Sequence, residues 1–291
     1  MKKSLRKVGW LLVSLSIFWG VRRFCYKQLD GFEVGKISSH IAFDPRWEIP
    51  QPAPGKELFA RPFTYLGKGA QCYVFASQDQ EHVIKFFRVS HIQAPEWFTA
   101  LPLPAFLKEW REKKVAVKES KREKDFLSYK LAYEKLKEET GLTYLHLNKS
   151  SDLHQKIQII DKIGISHTLD LDQMEFIIQK RAKPLYPAME EMIEKKKFDE
   201  AKASISHLIQ LLAKRHAAGL ADKDPDLKTN FGLVGSEAIQ FDIGRFKIGK
   251  SAQKEDPFQN EVVRITDEFK SWLKGRAPTL AEHLEAEIEG I

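Results

Sequence analysis

The sequence predicts an α+β fold in two lobes, a strand-rich first lobe and a helix-rich second, preceded by a hydrophobic N-terminal helix. Three observations predict it. Short apolar runs split by glycine and polar turns fill residues 63–87, apolar residues recur at spacings of three and four after residue 198, and an apolar run near the N-terminus lies between basic residues.

The 291 residues suit one large domain or one domain of two lobes, and a hydrophobic fraction of 43% can fill its core. The formal net charge of +7 suits an anionic partner such as nucleotide or phospholipid headgroups. Much of that excess lies between Lys108 and Lys124, where Lys, Arg and Glu alternate as on a solvated helix face. No aromatic side chain is interleaved within 113–124 to stack on bases, so nucleic acid is not an expected partner. The two cysteines, Cys25 and Cys72, are too few for a disulfide framework and lack metal-ligand spacing.

Lys2, Lys3, Arg6 and Lys7 precede an apolar run from Val8 to Val21, which Arg22 and Arg23 close. As a helix this run would be about 21 Å long, short of the ~30 Å hydrocarbon core. With Trp10 and Trp19 near the interfaces and snorkelling basic flanks, residues 1–25 are expected to be a retained membrane anchor with the domain in the cytoplasm. A cleaved signal, with secretion, is the alternative, although no small-x-small site follows. Pro45, Pro50, Pro52, Pro54 and Gly55 mark 26–62 as a proline-rich linker.

The first lobe is expected over 63–180. Its strands are Phe63–Leu66, Cys72–Ala76 and Val83–Phe87, then Ile157–Ile160 and Phe176–Gln179, giving a five-stranded antiparallel sheet. A long helix separates the two groups, with Phe126, Tyr129, Tyr133 and Leu136 on one face. The second lobe, 181–291, carries a helix through Phe198, Ala201, Ile205, Leu208 and Leu212. A β-like stretch, Ala238–Phe241, precedes Asp242. Val262, Ile265, Phe269 and Trp272 give a further helix, and Thr279 with Glu282 reads as a capping box for the last.

Phosphoryl transfer needs a close backbone over the phosphates, a cation to hold them, ligands for Mg²⁺ and a carboxylate to orient the acceptor hydroxyl. Gly67-Lys68-Gly69-Ala70-Gln71-Cys72-Tyr73-Val74 offers the first: glycines let backbone lie against phosphate oxygens without a Cβ clash. The segment resembles the kinase glycine-rich loop G-x-G-x-x-G-x-V at Gly67, Gly69 and Val74, with Cys72 where the third glycine would stand; a plain hairpin would read similarly. Lys85, 18 residues after Gly67 in an otherwise apolar strand, is the candidate cation. A lysine on the solvent face of an amphipathic strand would fit the same pattern. Glu123 is the candidate helix partner for Lys85, with Glu134 in reserve, though Ser120 to Glu123 also reads as a capping box.

His216 through Leu233 is the most informative segment. It resembles the kinase catalytic loop, with Asp222-Lys223-Asp224 where His-Arg-Asp is usual. Twelve residues after Asn230, the run Asp242-Ile243-Gly244 looks like the kinase Asp-Phe-Gly motif. The resemblance implies Asp224 as the base and Asn230, six residues on, and Asp242 as metal ligands. Asp226 remains a rival base. Asp222, Asp224 and Asp226 also alternate as in a calcium loop, but Leu227 stands where its glycine belongs and Leu233 where its glutamate does.

Taken in order, these segments resemble the protein-kinase-like superfamily, including minimal aminoglycoside, RIO-type and lipopolysaccharide-core kinases, over 63–248. The resemblance implies a two-lobed protein-kinase-like fold with a small helical second lobe. It implies ATP in the cleft, adenine near Gln179 to Ala182, Mg²⁺ on Asn230 and Asp242, and catalytic roles for Asp224 and Lys85. It departs at the third glycine, at the six-residue spacing from Asp224 to Asn230, and in the 49 residues that follow Asp242. The expected activity is an ATP- and Mg²⁺-dependent phosphotransferase near a membrane, its acceptor a small molecule, sugar, lipid or protein. A pseudokinase that binds nucleotide or scaffolds is the alternative.

Overall fold

The computed structural model describes residues 2–249 and 258–291, with the backbone alone at 2–6 and 8. A single helix, α1 (Lys2–Gln28), forms the N-terminus, and its described side chains are exposed throughout. No helix among the described residues is long and apolar enough to cross a membrane, which corrects the expectation of a transmembrane helix. The reason is visible in the run itself, where Gly9, Ser14, Ser16 and Gly20 dilute an already short apolar stretch. The side chains of Lys2, Lys3 and Arg6, which flank it, lie outside the described residues.

The stretch 26–62, expected as a linker, does not stand apart from the first lobe. Phe32, Ile37 and Phe59 are buried in one apolar cluster with Phe63, Tyr73 and Phe75. Trp47 meets Phe126 edge-on, ring centroids 5.6 Å apart. Proline sets the extended path, and the aromatic residues between the prolines supply the burial that holds it down.

The first lobe is built on β1 (Phe63–Lys68), β2 (Cys72–Ala76), β3 (His82–Phe87), β4 (Leu142–His146), β5 (Lys156–Ile160), β6 (Ser166–Asp170) and β7 (Phe176–Lys180). They make a seven-stranded sheet in the order β4-β7-β3-β2-β1-β5-β6, rather than the five-stranded antiparallel one expected. The Ile157–Ile160 run is a strand, but it pairs parallel to β1 at the edge and brings β6 with it as a hairpin. Leu142–His146, not read as a strand, takes the place beside β7.

Between β3 and β4 lie α2 (Val89–Ile92), α3 (Glu96–Ala100), α4 (Ala105–Lys135) and the single turn α5 (Lys137–Thr140). In α4 no residue before Asp125 is buried, whereas Asp125, Phe126, Ser128, Tyr129, Leu131 and Ala132 are. The apolar period therefore packs the last third of the helix on the sheet and leaves the rest in solvent.

The chain leaves β7 through Arg181 and Ala182 into β8 (Lys183–Pro184). Beyond it come α6 (Leu185–Glu194), α7 (Phe198–Ala217), β9 (Leu220–Asp222), β10 (Phe231–Val234), β11 (Glu237–Gln240), β12 (Phe246–Ile248), α8 (Phe258–Lys274) and α9 (Pro278–Glu289). Ile205, Leu208, Leu212, Val262, Phe269 and Leu280 meet in one core. The capping box expected at Thr279 is not formed: Pro278 is the first residue of α9, Ala277 occupies the cap, and no side chain caps there. Proline at that position is pre-set for a helix start and needs no partner for its missing N–H.

Candidate functional site

A cleft of about 520 Å³ opens between the lobes, and the glycine turn, β3, the β7–β8 connection, the loop after β9 and the segment after β11 all reach it. Of the residues singled out in the sequence, Gly67, Gly69, Val74, Lys85, Asp224, Asn230 and Asp242 line it, and Glu123 does not.

The turn between β1 and β2 is pinned at both ends. Gly69 N–H donates to the Cys72 carbonyl at 2.9 Å. The Arg88 guanidinium donates to the carbonyls of Gly69 and Ala70 at 3.1 and 3.2 Å. At Gly67 and Gly69 nothing in the protein lies within 4 Å of where a Cβ would stand. The fold therefore leaves open space above both residues, and a group lodged against the turn would be what needs glycine there.

β3 is a central strand, paired on one side with β2 and on the other with β7. Alternation puts Ile84 and Phe86 in the aromatic cluster under the sheet and Val83, Lys85 and Phe87 on the opposite face. Lys85 is thus 8% exposed, not on a solvent face. Its ammonium donates to the Phe241 carbonyl at 2.7 Å. Burial pushes its pKa down, and the charge of Asp242 opposes that.

Glu123 does not pair with Lys85. Its carboxylate accepts from the Arg46 guanidinium at 3.2 Å on the outside of α4. The stripe that α4 buries is centred on Asp125, Tyr129 and Ala132, so residue 123 falls on its outer edge beside exposed Leu127. Glu134 lies near Lys130, at 3.9 Å. The buried acid on this helix is Asp125, two residues beyond Glu123. It meets His91 Nε2 at 2.8 Å and accepts from the Gln71 amide at 3.2 Å. Burial raises the Asp125 carboxyl pKa against the pull of His91. The same Gln71 amide reaches the Gly244 carbonyl at 3.3 Å and ties the glycine turn to the segment after Asp242. The heptad spacing of Asp125 and Ala132 with Tyr129 between them was the available signal; His91 and Gln71 carry none.

The loop after β9 is organised by its own aspartates. Asp222 accepts from the Asp224 N–H at 3.0 Å and from the Gln240 amide. Gln240 in turn accepts from buried Arg215 at 3.1 Å. Burial raises the Asp222 carboxyl pKa. Asp226 caps a turn, accepting from Lys228 N–H and the Thr229 hydroxyl, both at 2.8 Å, and it does not line the cleft. Asp224 does line it, with the Arg245 guanidinium 3.3 Å from its carboxylate. The Asn230 amide donates to the Asp224 carbonyl at 2.6 Å, which fixes its orientation. Among the described residues Asp222, Asp224 and Asp226 do not gather their carboxylates at one point, so no calcium loop forms.

Asn230 and Asp242 suit a hard divalent cation. The Asn230 side-chain oxygen accepts one hydrogen bond, from Thr229 at 3.0 Å, and keeps a lone pair. Among the described residues no protein donor holds the exposed Asp242 carboxylate by a hydrogen bond, and Lys85 is its cationic neighbour.

Cys72, at the third glycine position, closes the cleft's inner wall. Burial pushes its thiol up to about 12, so it stays protonated and unreactive at pH 8, while Cys25 is exposed. Maleimide at pH 8 is expected to label Cys25 alone in the native protein and Cys72 only after denaturation, read by intact mass and peptide mapping. Rapid native labelling of Cys72 would contradict the packing.

The cleft thus lies between a sheet-based lobe and a helical one, with these parts in this chain order. No protein-family model and no curated protein matches the sequence. Among solved structures, it is similar to the 2.2 Å crystal structure of WbdD, with a TM-score of 0.37 and 11% identity over 82% of this chain and 46% of that one. It is similar to WbdD co-crystallised with the kinase inhibitor LY294002, at TM-score 0.35 and 13% identity over 77% and 44%. It is also similar to Rv3197 of Mycobacterium tuberculosis in complex with erythromycin, at TM-score 0.34 and 13% identity over 79% and 56%. This chain spans about half the length of the structures it matches. Likeness so loose carries nothing about activity, which has to be argued from the cleft.

Proposed function

We propose that this chain is an ATP- and Mg²⁺-dependent phosphotransferase that works beside a membrane, with the cleft in the cytoplasm. The observation that carries the chemistry is the meeting of Gly67, Gly69, Lys85, Asp224, Asn230 and Asp242 in one cleft. They come from separate parts of the chain, and simple core packing gives no reason for their convergence.

ATP supplies the phosphoryl group and Mg²⁺ the positive charge that offsets its anionic oxygens. The remaining work belongs to the chain. Asn230 and Asp242 hold the cation, Lys85 holds phosphate oxygens, and the glycine turn admits them. The β7–β8 connection, where Gln179 and Ala182 line the cleft, receives the adenine. Asp224 accepts the proton of the acceptor hydroxyl, and its ion pair with Arg245 must open for that. The acceptor is a hydroxyl of a small molecule, sugar, lipid or protein.

A Gly69→Ala variant tests the cradle apart from the fold. Its melting temperature is expected to stay near wild type, because the added methyl enters open space. Its Mg²⁺-ATP affinity, measured by calorimetry, is expected to fall roughly tenfold as the methyl takes up room needed by phosphate. Unchanged affinity would remove the glycine turn from the site.

A pseudokinase is the second reading, favoured by one feature: Lys85 has no helix carboxylate, Glu123 being turned away to Arg46. It predicts nucleotide binding with no turnover for any acceptor.

A further inference from the structure

We propose that the α3–α4 corner, residues 96–114, is a peripheral docking surface for an anionic lipid bilayer. It is separate from α1, and it stands whether or not the cleft transfers phosphoryl groups.

Large apolar side chains are displayed there rather than packed. Trp97 is 70% and Phe106 79% exposed, and Leu101 and Trp110 are exposed beside them. They are nevertheless held in place. Phe98 contacts Trp97 and Trp110 edge-on, with ring centroids 5.8 and 5.6 Å apart. The corner is thus a formed apolar knob.

Its backbone is held from within. Pro95, Pro102 and Pro104 carry no N–H to leave unpaired. The Arg111 guanidinium donates to the carbonyls of Thr99 and Leu101 at 3.0 and 2.7 Å. The Thr99 hydroxyl donates to the Glu96 carbonyl at 2.8 Å. Internal pairing of these groups lowers the cost of moving the corner from bulk water into the less polar bilayer interface.

Charge selects the occupant. The corner itself, 96–114, carries four Lys and Arg against three Glu, and the turns of α4 that continue from it, 115–124, add four against two. Protein interfaces are depleted of lysine around their apolar centre, whereas aromatic knobs rimmed by lysine suit anionic headgroups. A second copy would set two positive surfaces against each other.

The test uses the full chain with vesicles of phosphatidylcholine, alone or mixed with phosphatidylglycerol. Flotation measures binding, and hydrogen exchange measures protection of 96–114 and of α1 separately. Expected is protection of 96–114 on the mixed vesicles. In the Trp97→Ala/Phe106→Ala variant binding should drop roughly tenfold or more at unchanged melting temperature. Lys113→Glu/Lys114→Glu should weaken binding at low salt and converge with wild type at high salt. The proposal is overturned if only α1 gains protection. It is equally overturned if the aromatic variant floats like wild type, or if 96–114 becomes protected without vesicles as protein concentration rises.

Discussion

Asp242→Asn is expected to abolish detectable turnover and to weaken Mg²⁺-dependent ATP binding by at least roughly 100-fold. Two effects combine. The variant removes the carboxylate that, on the proposed reading, would hold the cation. It also removes the charge that opposes the burial of Lys85, so the lysine pKa, already pushed down, falls further. The fold should tolerate the change, because Asp242 is exposed in the cleft and, among the described residues, accepts no hydrogen bond from the protein. Melting temperature is expected to stay within a few degrees of wild type. Calorimetry with Mg²⁺, repeated with EDTA, measures the loss. An Asp242→Asn protein that binds Mg²⁺-ATP like wild type would remove the metal-centred reading of the cleft.

Asp224→Asn should separate binding from chemistry. Its carboxylate is proposed to take the acceptor's proton, an interaction felt in the transition state, so nucleotide affinity should persist while turnover falls roughly 10²–10⁴-fold. Asp226→Ala should do the reverse. It deletes two hydrogen bonds that close the turn before Asn230, to Lys228 N–H and the Thr229 hydroxyl. That should cost about 1 kcal/mol of stability, seen as a lower melting temperature, and leave measurable turnover. Turnover that survives Asp224→Asn and disappears in Asp226→Asn would name Asp226 the base. Wild-type protein that binds nucleotide yet shows no acceptor-dependent loss of ATP would favour the pseudokinase.

The sequence alone determined what depends on local pattern. The spacing from Gly67 to Lys85, the apolar stripes of α7 and α8, and the order of Asp224, Asn230 and Asp242 are all carried by neighbours along the chain. Strand and helix periods, turn residues and motif spacing are short-range properties, and they survive into the fold. Tertiary structure decided what depends on distant partners. Whether Ile157–Ile160 paired inside the sheet or at its β1 edge rested on which strand lay beside it. Whether Glu123 or Asp125 faced inward rested on which side of α4 met the sheet, since residues two apart lie about 200° apart around a helix. The choice between Asp224 and Asp226 shared this character: both suit a base by type and spacing, and only the folded loop turns one to the cleft and spends the other on a turn. Burial of Lys85 came from β7 pairing on its far side, nearly a hundred residues away. Such contacts are set by loop closure and packing across the whole chain, and no local window of sequence contains them.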